Sequence, residues 1–161
     1  MKIGILADTH DELERTRRAV LTLRNAGATA LIHCGDLASP TIVAAIADVP
    51  SWFVFGNHDS DMTPYLEQAA TEAGVGCLGW GGIVELAGRK LAVAHGHLTT
   101  DIRRILAESP DYLLTGHTHF PFETMRDGVR QINPGALYRA DRYTVALLDL
   151  ETEQATWLTI E

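Results

Sequence analysis

Seven side chains able to hold metal ions stand at the ends of apolar runs: Asp8, His10, Asp36, Asn57, His95, His117 and His119. Ile3 to Ala7 runs into Asp8-Thr9-His10, and Ala30 to Cys34 into Gly35-Asp36. Ser51 to Phe55 stops at Gly56-Asn57-His58-Asp59, Leu91 to Ala94 at His95-Gly96-His97, and Tyr112 to Leu114 at Thr115-Gly116-His117-Thr118-His119. Carboxylate and amide oxygens with imidazole nitrogens, and no thiolate, make a donor set for a hard or borderline divalent cation. Seven donors are too many for one tetrahedral ion and suit two ions that share a carboxylate. Two ions roughly 3.5–4 Å apart can clamp a phosphoryl group and generate hydroxide at neutral pH. Asp8-x-His10 and His117-x-His119 place each pair on one side of an extended segment, so each pair is expected to meet metal from one strand end.

Each piece alone has an ordinary explanation. An Asp at a strand end is usually a turn or cap residue, and a lone His is usually a satisfied surface or core residue. The argument is in the clustering. Six of the seven histidines fall in these strand-end turns, and the seventh, His33, lies in the run beside Gly35-Asp36. Open α/β sheets bind their ligands at the C-terminal edge of the strands.

The elements that must position these turns are legible from punctuation. Lys2 to Ala7 reads as a strand buried on both faces. Asp11 is expected to cap a helix, with Glu14 completing a capping box. That helix turns Leu13, Val20 and Leu23 toward the sheet and ends near Asn25-Ala26-Gly27. A strand over Ala30 to Cys34 follows, then Ser39-Pro40 opening a short helix, then a strand over Trp52 to Phe55. Thr63-Pro64 repeats the start signal for a helix that stops at Gly74. Beyond it, short strands are expected at Val75–Leu78, Ile83–Leu86, Lys90–Ala94, Tyr112–Leu114, Phe122–Arg126, Val129–Ile132, Tyr143–Leu150 and Thr156–Ile160. One more helix spans about Thr99 to Ser109, and Asp127-Gly128 marks a type I′ hairpin. The order βαβαβα followed mostly by β predicts two facing β-sheets flanked by helices, an α/β fold, in one domain over residues 1–161.

The net charge of −8, from 13 basic and 21 acidic residues, argues against an extended nucleic-acid surface or an anionic membrane as partner. It leaves room for a small phosphorylated substrate, because bound cations reverse the local sign. The two cysteines, Cys34 and Cys77, imply no disulfide framework, which points to a reducing cytoplasm. No run of about 18 apolar residues is present, and homo-oligomerisation stays open.

Asp8-x-His10, Gly35-Asp36, Gly56-Asn57-His58-Asp59, His95-Gly96-His97 and Gly116-His117-Thr118-His119 resemble, in order, the five motifs of calcineurin-like metallophosphoesterases. Asn133-Pro134-Gly135 resembles a turn of the small bacterial and archaeal phosphodiesterase branch. The resemblance implies an α/β/β/α sandwich and two divalent ions, manganese first, with iron, zinc and nickel as alternatives. One ion would take Asp8, His10, Asp36 and His119, the other Asp36, Asn57, His95 and His117, with Asp36 bridging.

The resemblance makes His58 the catalytic residue, protonating the leaving oxygen or stabilising the transition state, and the substrate a small phosphodiester, nucleotides included. Much of the small branch carries cysteine at this position, so histidine favours turnover. His97 either touches phosphate or supports His95. The second motif here reads Gly35-Asp36-Leu37-Ala38-Ser39-Pro40, without the Asp-Arg of protein phosphatases, which counts against a protein substrate. Asp59 or Asp61 is left as the candidate partner of His58, and Arg139 and Arg142 as candidates to reach phosphate. The retromer scaffold subunit resembles the same fold and uses it as an interaction surface with a degraded metal site. That gives the alternative, a non-catalytic interaction module, against which the intact seven donors and His58 weigh. A lactonase is a further alternative, disfavoured by an asparagine ligand.

Overall fold

The computed structural model describes all 161 residues, Met1 to Glu161. Four parallel strands, β1 (Lys2–Leu6), β2 (Ala30–His33), β3 (Ser51–Phe53) and β4 (Gly76–Cys77), are connected by helices α1 (Leu13–Asn25), α2 (Pro40–Ala45) and α3 (Thr63–Ala73). The second half supplies β5 (Gly81–Leu86), β6 (Arg89–Ala94), α4 (Thr99–Leu106), β7 (Tyr112–Leu114), β8 (Pro121–Arg126), β9 (Val129–Pro134), β10 (Thr144–Asp149) and β11 (Gln154–Thr159). Strands β10 and β11 return antiparallel beside β1, so one sheet reads β11-β10-β1-β2-β3-β4 and the other β5-β6-β7-β9-β8.

The two sheets pack face to face through Ile3, Ile5, Ile32, Leu91, Val93, Leu114, Ile132 and Leu148, all fully buried. Helices α1, α2 and α3 cover the other face of the first sheet with Val20, Leu23, Ile42, Val43 and Leu66. Helix α4 lays Ile102 and Ile105 on Ala92, Ala94 and Leu113 of the second. Strands β1 and β2 are thus apolar along their length because both faces are covered. This is the α/β/β/α sandwich expected from the order of elements.

Some local signals read differently in three dimensions. The Asp11 capping box is not formed: Glu12 is the N-cap residue of α1 and no side chain caps it. Asp11 instead has φ 62°, gives its N–H to the Leu37 carbonyl at 3.0 Å and accepts from the Thr41 hydroxyl at 3.2 Å. Tying the first turn to the second has displaced the cap. Thr63 is the first residue of α3 and Met62 its N-cap, whereas Ser39 does cap α2 by accepting from the Thr41 N–H. Helix α4 stops at Leu106, β9 runs on to Pro134, and Asp127 and Gly128 both take the positive φ of a type I′ turn.

Candidate metal centre

The turns after β1, β2, β3, β6 and β7 emerge along neighbouring strand ends, and backbone hydrogen bonds lash them together. Asp8 N–H donates to the Gly35 carbonyl and His10 N–H to that of Asp36, each at 3.0 Å, while Gly116 N–H reaches the His95 carbonyl at 3.0 Å. Asp8, His10, Asp36, His117 and His119 all have φ between 42° and 71°. Such left-handed backbone is uncommon outside glycine and persists where surrounding contacts over-determine it. The pairs Asp8-x-His10 and His117-x-His119 therefore do not converge by strand alternation, as their spacing suggested. Asp8 and His10 meet because their turn coils back on itself, whereas of the second pair only His119 joins a triad.

Close nesting explains two glycines. A Cβ on Gly56 would lie 2.0 Å from Asp36 Oδ1, and one on Gly116 would lie 2.8 Å from both Ala7 Cβ and Asp8 Oδ2. Through these gaps the backbone reaches the two carboxylates. His58 N–H donates to Asp36 Oδ1 at 2.9 Å and His117 N–H to Asp8 Oδ2 at 3.0 Å.

Each carboxylate then has one oxygen left, and both point into the same space. Asp36 Oδ2 lies 3.3 Å from His10 Nε2 and 3.3 Å from His95 Nε2. Asp8 Oδ1 lies 3.3 Å from His119 Nε2 and 3.9 Å from His95 Nε2. Two triads of donor atoms lie within 4.8 Å of one another: Asp8, His10 and His119, and Asp8, Asp36 and His95. Carbonyls behind the rings orient them. Nδ1–H of His95 donates to the Cys34 carbonyl at 2.8 Å, and that of His119 to the Arg139 carbonyl at 3.3 Å. That fixes the tautomer with Nε2 carrying its lone pair toward the cluster, the arrangement metal-ligating imidazoles adopt.

The chemistry of the cluster also leaves atoms unspent. Asp8 Oδ1, His10 Nε2 and His95 Nε2 are buried and make no hydrogen bond. Buried polar atoms are ordinarily paired, so three orphans facing one another fit a cation better than any internal partner. Burial would raise the Asp36 carboxyl, but His10, His95 and the His58 amide outweigh it and hold the group well below the usual carboxylate range. Burial opposes charge on His95 as well, and there Asp36 and Asp8 win and raise its pKa. For His119 the Asp8 carboxylate outweighs burial in the same sense.

Three residues outside the donor set hold it in place. Asp59 is fully buried; its Oδ2 accepts from the N–H of Gly56 (2.8 Å), Asp36 (2.9 Å) and Leu37 (3.2 Å), and its Oδ1 from Ala38 (2.7 Å). It is a clamp on the Asp36 turn, spent on backbone amides, and it makes no hydrogen bond to the His58 imidazole. His33 takes the Gly35 N–H on Nδ1 at 3.2 Å. Its Nε2 therefore carries the proton and donates to Thr9 Oγ1 at 3.0 Å, and the Thr9 hydroxyl donates on to the Asp36 carbonyl at 3.4 Å. Asn133, buried in the turn noted in the sequence, gives Nδ2–H to the Gly116 carbonyl at 2.8 Å and takes the Gly135 N–H at 2.9 Å.

Around the rim, His58 and Asn57 are exposed on one 3₁₀ turn. The His58 ring lies 4.9 Å from that of His10, and the Tyr138 ring lies 4.6 Å from the same imidazole. His117, also exposed, is 5.1 Å from His95 between centroids, and His97 is 5.4 Å from His95. Asp8, His10, Asp36, His95 and His119 thus form the compact centre, with His117 and Asn57 at its edge. Asp61 is exposed, and Arg139 stacks on Tyr138 at 5.1 Å.

Comparison with known proteins bears on this arrangement. Residues 1–153 match the family model of the calcineurin-like phosphoesterase superfamily domain. The chain is 27% identical to phosphodiesterase MJ0936 of Methanocaldococcus jannaschii over the full length of both. The solved structure of an archaeal phosphodiesterase superposes with a TM-score of 0.87 at 27% identity, covering 99% of each chain. Vps29 of Entamoeba histolytica shares the fold, with a TM-score of 0.64 at 15% identity and full coverage of both chains. The chain belongs to the calcineurin-like phosphoesterase superfamily.

Proposed function

We propose that this phosphoesterase hydrolyses small phosphodiesters, nucleotide derivatives among them, at a pair of divalent ions, manganese foremost. The observation that carries the reading is the set of buried, unpartnered donor atoms on Asp8, His10 and His95 facing Asp36 Oδ2 and His119. Asp8, His10, Asp36 and His119 would hold one ion, and Asp36, Asn57, His95 and His117 the other. Asp36 Oδ2, lying between His10 and His95, is the atom suited to sharing. When bound, such ions neutralise phosphate charge and supply the attacking hydroxide.

The protein's own part is orientation and proton supply. Asp59 and His33 fix the Asp36 turn, and Asn133 fixes the His117–His119 turn. His58 stands exposed over His10 with its amide spent on Asp36, so its imidazole is free to protonate the departing oxygen or to stabilise the charge developing on it. The centre is open at His58, Asn57 and His117, which admits both arms of a diester. No helix is long and apolar enough to cross a membrane, and the substrate is taken from the cytoplasm.

The test is turnover of bis(4-nitrophenyl) phosphate, 4-nitrophenyl phosphate and a lactone by manganese-loaded protein. Diester hydrolysis that stops on chelation is expected, with the monoester slower and the lactone untouched. No phosphoester turnover with manganese, iron, zinc or nickel would overturn the proposal in favour of an interaction module.

A further inference from the structure

Trp80 is a large apolar side chain left 37% exposed beside the metal centre. A single exposed apolar residue needs no explanation of its own. The mounting of this one does. Its indole packs edge-on against buried Phe55, with ring centroids 5.4 Å apart at 63°. The preceding residue is pinned, because Phe55 N–H donates to the Gly79 carbonyl at 2.8 Å. Phe55 also leads directly into the Gly56-Asn57-His58 turn, so the side chain that supports Trp80 belongs to the segment that carries the candidate acid. On its other side Trp80 lies 5.9 Å from His97, itself 5.4 Å from His95.

Two series of neighbouring rings start at Asp36 Oδ2: His95, His97 and Trp80 in one, and His10 with His58 and Tyr138 in the other. A diester centred on the carboxylates with its leaving oxygen at His58, where it needs a proton, would leave its other arm free to lie along the series that ends at Trp80. The charge of the chain adds a reason for a ring there. At −8 overall, the protein's long-range field disfavours an anionic substrate, and an uncharged stacking surface supplies affinity that field does not oppose.

Resting on the phosphodiesterase reading above, we infer that Trp80 is the specificity platform for the retained arm of the substrate. It stacks a flat aromatic ring, so the substrate class is a nucleoside 5′-phosphodiester whose other alcohol departs past His58. Stacking of a base on an aromatic side chain is sequence-tolerant, so the choice of base is loose while an arm without a flat ring is disfavoured.

Two esters with one leaving group isolate the retained arm: thymidine 5′-(4-nitrophenyl phosphate) and methyl 4-nitrophenyl phosphate. In Trp80→Ala the ratio of their kcat/KM values, thymidine over methyl, should fall about tenfold through KM, and Trp80→Phe should restore most of it. Calorimetry on manganese-loaded protein reads the same subsite without turnover. Thymidine 5′-monophosphate should bind more tightly than inorganic phosphate, and Trp80→Ala should abolish the difference. An unchanged ester ratio, or an equal loss on both esters, overturns the platform while leaving the hydrolase intact. If neither ester turns over but the calorimetric difference exists and vanishes in Trp80→Ala, the platform stands and the assigned reaction falls. Absence of that difference in the wild-type protein overturns the platform.

Discussion

Replacing Asp59 by Asn tests whether one buried carboxylate holds the Asp36 turn. Both oxygens accept N–H bonds, three on Oδ2 and one on Oδ1, from donors 2.7–3.2 Å away. In the amide, the remaining oxygen best serves the three donors from Gly56, Asp36 and Leu37, which turns the NH₂ group onto the Ala38 N–H. Losing that charge-assisted bond costs about 1.5–3 kcal/mol, and the other three drop to neutral strength, roughly half. Asp59→Asn should therefore lose about 4–7 kcal/mol, a large share of the roughly 5–15 kcal/mol that stabilises an ordinary domain. Urea unfolding of chelator-treated protein measures this free of any metal contribution, and a manganese titration of the same variant should show weakened binding. Stability within about 0.5 kcal/mol of the wild type, the range of an ordinary surface substitution, would refute the clamp.

Three further outcomes are expected. His58→Ala should keep its metal and its fold but lose about 10²-fold in kcat, with a smaller loss for a nitrophenolate than for an alkoxide leaving group. Metal loss rescued by excess ion would instead make His58 a ligand. Gly56→Ala, whose Cβ would lie 2.0 Å from Asp36 Oδ1, should cost about 3 kcal/mol or more and release metal. A melting temperature and metal content equal to wild type would contradict that. Burial, with His95 nearby, pushes the His33 imidazole down to about 3, against roughly 6.5 in the unfolded chain. Between those values the unfolded chain binds a proton that the folded one refuses. The stability His33 contributes is therefore complete above about pH 6.5 and is lost as pH falls toward 3. Chelator-treated His33→Gln should lose stability less steeply across that window, and equal slopes would refute the assignment.

The strands were legible because burial on both faces writes them as unbroken apolar runs, as in Ile3 to Leu6 or Leu91 to Ala94. Their polar endings pointed to the candidate donor set only together: one such ending is an ordinary turn, but five core strands ending in Asp, Asn or His are not. Less legible was anything decided between turns distant in sequence. Asp11 looks like a helix cap and is spent on Thr41, a partner 30 residues away. Asp59 looks like a partner for its neighbour His58, yet its carboxylate serves amides 21 to 23 residues back as well as its own turn. The left-handed backbone at Asp8, His10 and Asp11 has only a weak signature, since none of the three is glycine. Trp80 carried no spacing signal at all; its exposure and its mount beside His97 distinguish it from a core residue such as Phe53.

The central claim is a pair of ions sharing Asp36. Manganese titrated into chelator-stripped protein, with bound ion counted and diester hydrolysis followed in the same samples, tests it most directly. Two ions per chain are expected, with activity rising as the second site fills, and Asp36→Asn should weaken both together because its charge serves each. One ion per chain at full activity, or an Asp36→Asn variant that still binds two ions at wild-type affinity, would contradict the account.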